Sequence, residues 1–159
     1  MRVESKRKFA VFALLTVIWM TVIFLFSAQN GDDSSYTSGK LLRIILDLMD
    51  CNPPPDVFNV MAFVIRKAAH MTEFGILALL WLGTLRAAGV PRCVFPASFA
   101  ASSLYAATDE IHQLFVSDRA GQFTDWLIDS SGALLFLWFA WVISLLLRRK
   151  HNAKQSVNL

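Results

Sequence analysis

The stretch YAATDEIHQLF, residues 105–115, closes an apolar run with Asp109, Glu110 and His112 inside four positions. Ionisable side chains are costly within a bilayer and persist there when they face a bundle interior or a water-filled cavity and find partners. Whether this segment is the polar end of a membrane span or the surface of a soluble helix decides the fold.

Outward from it, the chain favours the membrane. It has 159 residues, of which 55% are hydrophobic, and a mean hydropathy of +0.49. Apolar stretches of bilayer length recur, so we read a polytopic membrane protein. Residues 9–28 carry no charge and follow the basic opening MRVESKRK. The run is too long for a signal-peptide core, and Phe26 is too bulky for a cleavage site, so it reads as a retained signal-anchor. A second span needs a helix starting near Ile65, because its clean apolar part, 74–85, is short. The third runs over 94–116 and the fourth over 123–147.

The basic residues set the expected orientation. Arg2, Lys6, Arg7, Lys8, Arg86, Arg92, Arg148, Arg149, Lys150 and Lys154 flank one side; Lys40, Arg43, Arg66, Lys67 and Arg119 flank the other. The positive-inside rule puts both termini in the cytoplasm. The expected organisation is a cytoplasmic N-terminus (1–8), a four-helix transmembrane domain (9–147) and a cytoplasmic basic tail (148–159). The pI of 9.1 then reflects topology and not a nucleic-acid surface. Cys51 and Cys93 fall on opposite sides and cannot pair within one chain.

With this topology, FSAQNG, RKAAHMTEF, TDEIHQ and TDWLIDSSG all reach the outer face. At about 1.5 Å per residue, Glu73 lies ~20 Å from Arg86, Asp109 ~25 Å from Arg92 and Asp129 ~28 Å from Arg148. Spacing defines one polar stripe per span. Arg66, His70 and Glu73 share a face; Asp109, His112 and Gln113 follow i, i+3, i+4; Asp125, Asp129 and Gly132 follow i, i+4, i+7. Facing stripes would form an outward pocket in which the charges pair. Ser102, Ser103, Gly132 and Ala133 read as close-contact positions, and Trp126 and Trp141 as interfacial anchors.

In the first outer loop, SGKLLRIILDLMD sets Lys40, Arg43, Asp47 and Asp50 opposite Leu41, Leu42, Ile45, Leu48 and Met49. This is an amphipathic helix, either lying on the outer leaflet or packed as a lid. CNPPPD ends it.

The ordered set FSAQNGDDSS, KAAHMTEFGIL, DEIHQLFVSDRAGQFTD and DSSGA resembles the VanZ-like family of bacterial membrane proteins, over residues 26–147. The resemblance implies polar site positions at Lys67, His70, Glu73, Asp109, Glu110, His112, Gln113, Arg119 and Asp125. It also implies a place in the bacterial inner membrane and a theme, the cell envelope, with a link to resistance to the glycopeptide teicoplanin. Two departures stand out: Asp129 replaces an expected asparagine, and SDR replaces a Pro-Gly type turn.

Four readings of the cluster stay open. His70, Glu73, Asp109 and His112 form a metal-ligand set for a divalent ion. The same four act as metal-free general acid–base groups on a lipid-linked substrate, with a serine at 27, 34 or 35 as nucleophile. Alternatively, Lys67, Glu110, Gln113, Arg119, Asp125 and Asp129, with Arg66, build a binding site for an anionic, phosphate-bearing envelope ligand such as a lipid-linked cell-wall precursor. The fourth is a purely structural interhelical network. Whether the protein is an enzyme, and which cofactor or metal it takes, is left undetermined by the residues. Arg119, in the short turn between spans three and four, is expected to hold a bidentate ion pair with Asp125, Asp109 or Glu110.

Overall fold

The computed structural model describes residues 3–90 and 92–157. Arg2 and the last two residues of the basic tail lie outside the described residues. Those described are all-helical, in five helices: α1 (Val3–Ser27), α2 (Gly31–Leu48), α3 (Pro55–Ala87), α4 (Val94–Gln113) and α5 (Phe123–Val157). Three of them, α1, α3 and α5, are long and apolar enough to cross a membrane.

The expected third span, α4, is a helix, and its 20 residues would reach about 30 Å, the thickness of a hydrocarbon core. Its composition is diluted by what it buries: Ser98, Ser102, Ser103, Asp109, Glu110 and Gln113 face neighbouring helices, while Leu104 and Ile111 are exposed. Hydropathy averaged along the chain cannot see that the polar groups point inward.

α3 is the central helix and touches all four others. It begins at Pro55, with proline suited to the first helical turn, and not near Ile65. Its 33 residues extend ~50 Å, well beyond a bilayer core, and the added turns pack against α2. It ends where Gly89, at φ 87°, allows a left-handed reversal. There Val90 N–H donates to the Leu85 carbonyl and Gly89 N–H to that of Arg86, the paired bonds of a Schellman ending. α2 ends the same way, with Asp50 in the left-handed position at φ 50° and Cys51 N–H on the Leu46 carbonyl.

Cross-helix bonds fix the pairing. Ser5 Oγ donates to the Ala87 carbonyl at 3.0 Å, Thr16 and Thr84 hydroxyls meet at 3.0 Å, and Trp19 Nε1 donates to the Glu73 carbonyl at 2.9 Å, so α1 and α3 are antiparallel. α4 is held by Ser102 Oγ to the Phe74 carbonyl at 3.0 Å and by Tyr105 Oη to the Met20 carbonyl at 2.7 Å. Ser103 and Ser130 hydroxyls at 2.8 Å, with Trp126 Nε1 on the Ser103 carbonyl at 3.0 Å, join α4 to α5. Trp126, half-buried, thus spends its indole N–H on α4.

The apolar core is thin. Ala78, Leu82, Val94, Ala133 and Leu137 form one buried cluster, and Ile23, Phe74, Leu77 and Ala106 another. Most large side chains point outward, among them Leu14, Val17, Leu25, Leu134 and Trp138, as expected when the surrounding solvent is hydrocarbon and not water. α2 buries Ser34, Leu42 and Leu46 and leaves Leu41, Ile44, Ile45 and Leu48 exposed.

Candidate functional site

The polar stripes of α3, α4 and α5 lie at one end of the bundle, where they sort into an open cleft and a buried cluster. The cleft, about 360 Å³, is lined by Phe63, Arg66, Lys67, His70, Arg119 and Asp125, together with the start of α2 and the turn before α5. Lys67 Nζ donates to Asp125 Oδ2 at 2.5 Å, tying α3 to α5. Phe63, one turn before Arg66 and Lys67, lies beneath both cations, 5.7 Å and 5.3 Å from its ring centre. Arg66 donates to Ser35 Oγ of α2 at 3.2 Å.

Arg119 corrects one expectation: among the described residues it forms no ion pair. Each acid named as its partner is already engaged. Asp125 takes Lys67, Asp109 Oδ2 accepts from Gln113 Nε2 at 2.9 Å, and Glu110 Oε2 accepts from Gln122 N–H at 2.8 Å. Burial, then the nearby Arg66 charge, lower the Arg119 pKa, while Asp109, Glu110 and Glu73 act in the opposite sense. The guanidinium thus remains in the field of the acids without direct contact.

Below the cleft lie His70, Glu73, Asp109 and Asp129. His70 lines the cleft and reaches down to the acids, its Nδ1 3.8 Å from Glu73 Oε2. Asp109 and Asp129 are 4% and 1% exposed, so the α4 and α5 stripes deliver carboxylates into the bundle centre. His112 does not join them. Its ring lies tilted against Phe24 of α1 at 4.5 Å between centres, and its buried Nε2 has no hydrogen-bond partner among the described residues. Glu110 is buried and fastens the turn before α5 through Gln122.

The sequence reading missed the part played by α2. Its first turn is capped by Asn30, whose Oδ1 accepts from Asp33 N–H at 2.7 Å, and Gly31 N–H donates to the Ser117 carbonyl at 3.3 Å. This places the α2 start against the turn that carries Arg119. The signal was present in QNGDDSS, an N-cap residue followed by acids, although nothing in it indicates the contact with Ser117.

Together these features describe a helical protein with membrane-length spans and a cationic cleft above a cluster of His70 and buried carboxylates. A family model described as VanZ/LLP1 matches residues 12–146, and the chain belongs to this family. No curated protein and no solved structure matches the chain.

Proposed function

We propose that this VanZ-like protein crosses the bacterial inner membrane four times, with both termini cytoplasmic, and binds a phosphate-bearing, lipid-linked envelope ligand in its outward-facing cleft. The observation that carries this reading is the unequal treatment of the three cations. Lys67 is neutralised by Asp125, whereas Arg66 and Arg119 share the cleft with no carboxylate in ion-pair contact among the described residues. Two guanidinium forks held near each other without an ion-paired carboxylate repel, and an anion with several acceptor oxygens relieves that repulsion. The exposed apolar residues of α2 would rest on the outer leaflet and bring the cleft to headgroup level. Binding a cell-wall precursor would account for a contribution to teicoplanin-type resistance.

The test uses purified protein in detergent with phosphatidic acid, inorganic phosphate and phosphatidylcholine as probes. Phosphatidic acid is expected to bind saturably and phosphatidylcholine not. Free phosphate binding as tightly as the lipid would mean that the lipid tail adds nothing. Arg66→Ala and Arg119→Ala should each lose about tenfold or more in affinity, the scale of a charge-assisted hydrogen bond. Arg119→Lys should fall between, since it keeps the charge and loses the fork. Parent-like affinity in the Arg66→Ala/Arg119→Ala double variant would overturn the reading.

Catalysis on the bound anion is a second reading, favoured by His70, which faces the cleft with a carboxylate near Nδ1. It requires release of phosphate or alcohol from a lipid phosphate, lost in His70→Gln. The topology has its own check, because Cys51 and Cys93 are both free and exposed, one just before α3 and one just before α4. An impermeant maleimide added to intact cells is expected to label Cys51 and leave Cys93 unmodified. The reverse pattern would move the cleft to the cytoplasmic face.

A further inference from the structure

The buried cluster brings metal-ligating atoms from three helices around one point. A ring nitrogen of His70 on α3 and one carboxylate oxygen each from Asp109 on α4 and Asp129 on α5 lie within 4.8 Å of one another. Ligand atoms about 2.1 Å from a single ion stand roughly 3.4 Å apart in tetrahedral geometry and roughly 4.2 Å apart across an octahedron. Side-chain adjustments of under about 1 Å would bring the three to coordinating distance.

A second observation concerns what these groups lack. Asp129 is 1% exposed, and its Oδ2 is buried with no hydrogen-bond partner among the described residues; His70 Nδ1 is in the same condition. An unpaired oxygen on a buried carboxylate is costly, and several acids in one low-dielectric site add to that cost unless a cation joins them. The protein's own cations are not in that position. Lys67 is committed to Asp125, and Arg119 contacts none of the acids.

We propose that His70, Asp109 and Asp129 form a divalent metal site beneath the cleft. Gln113, bonded to Asp109 Oδ2 at 2.9 Å, holds one ligand in place, and Glu73, 3.8 Å from His70 Nδ1, adds a further carboxylate beside the site. One imidazole and two carboxylates, with no thiolate, suit Zn²⁺ or Mn²⁺; Mg²⁺ and Ca²⁺ prefer all-oxygen shells. His112, which the spacing along α4 had offered as a ligand, is not among the converging ligand atoms, and its ring lies against Phe24.

The site does not depend on the anion-binding reading, and its test contains no phosphate or anionic lipid. Tag-free full-length protein in detergent is stripped with a chelator and titrated with Zn²⁺ or Mn²⁺ by calorimetry, with melting temperature as a parallel readout. The parent is expected to take up one equivalent and to melt higher with metal present, because an ion that binds only the folded state stabilises it. Asp129→Asn, nearly isosteric, should lose at least tenfold in affinity and most of the metal-dependent rise in melting temperature, as should His70→Gln. Gly39→Ala, at a position that lines neither the cleft nor the cluster, should bind metal like the parent. No stoichiometric uptake by the stripped parent would overturn the proposal, as would parent-like affinity in both Asp129→Asn and His70→Gln. Uptake of Mg²⁺ as tight as that of Zn²⁺ would remove His70 from the ligand set.

Discussion

Gly132→Ala is expected to destabilise the bundle by about 3 kcal/mol, at the upper end for an overpacked core position. A Cβ built there would lie 2.1 Å from the Met71 carbonyl oxygen and 2.7 Å and 2.8 Å from the Met71 carbonyl carbon and Cα. All three are backbone atoms, so no side chain can swing aside, and the contact is relieved only if α3 and α5 separate. Separation would pull on the Lys67–Asp125 pair and move Asp129 away from His70. A single methyl group at the helix contact would thus disturb both the cleft and the buried cluster. The matching control is Gly39→Ala in α2, where the nearest atom to a new Cβ is a Phe58 ring carbon at 3.8 Å. That substitution should be neutral or stabilising by up to about 1 kcal/mol, since alanine is the better helix former. Thermal unfolding of both variants in detergent checks the pair. Parent-like melting of Gly132→Ala would mean that α3 and α5 do not approach this closely.

Lys67→Met should cost about 2–3 kcal/mol. The ammonium and the Asp125 carboxylate are 2.5 Å apart, with each side chain 20% exposed, so removing the cation strands a mostly buried anion. Breaking a fully buried pair costs about 3–5 kcal/mol, and the partial exposure reduces that. Most of the loss comes from the stranded carboxylate and not from the attraction itself. Lys67→Met combined with Asp125→Leu should therefore recover most of the stability, through an apolar contact between the same two helices. A double-mutant cycle on unfolding free energy is expected to show a coupling of about 1–3 kcal/mol. Additive losses would show that the two side chains do not depend on each other.

These expectations rest on features of unequal legibility. α1 is readable because residues 9–28 carry no charge, and its buried stripe of Thr16, Ile23 and Ser27 follows the helical period. Asp125, Asp129 and Gly132 were likewise placed on one face by spacing alone, and the structure buries Asp129 and Gly132. The start of α3 was harder. The turns from Pro55 to Ile65 are not core-facing in the bundle; they contact α2, and a pattern tuned to bilayer length stops short of them. Arg119 illustrates another limit. Composition shows that acids flank it, but their prior engagement by Lys67, Gln113 and Gln122 N–H depends on distances between helices.

Residue order alone is enough for the existence of the helices, the face each turns inward and the end of the bundle where the polar groups gather. These follow from periodicity along one chain segment, a local property of 3.6 residues per turn. Which groups on those faces meet is set by the packing of one helix on another. His112 and Gln113 are neighbours on α4, and spacing allows either to point into the cluster. The packing of α4 against both α1 and α3 sends Gln113 to Asp109 and His112 to Phe24. In the same way Lys67, and not Arg119, neutralises Asp125 because α3 and α5 lie in direct contact. A helix's period fixes angles around its own axis, whereas partnership requires the distance and rotation between two axes. Close contacts such as that of Gly132 with Met71 set both.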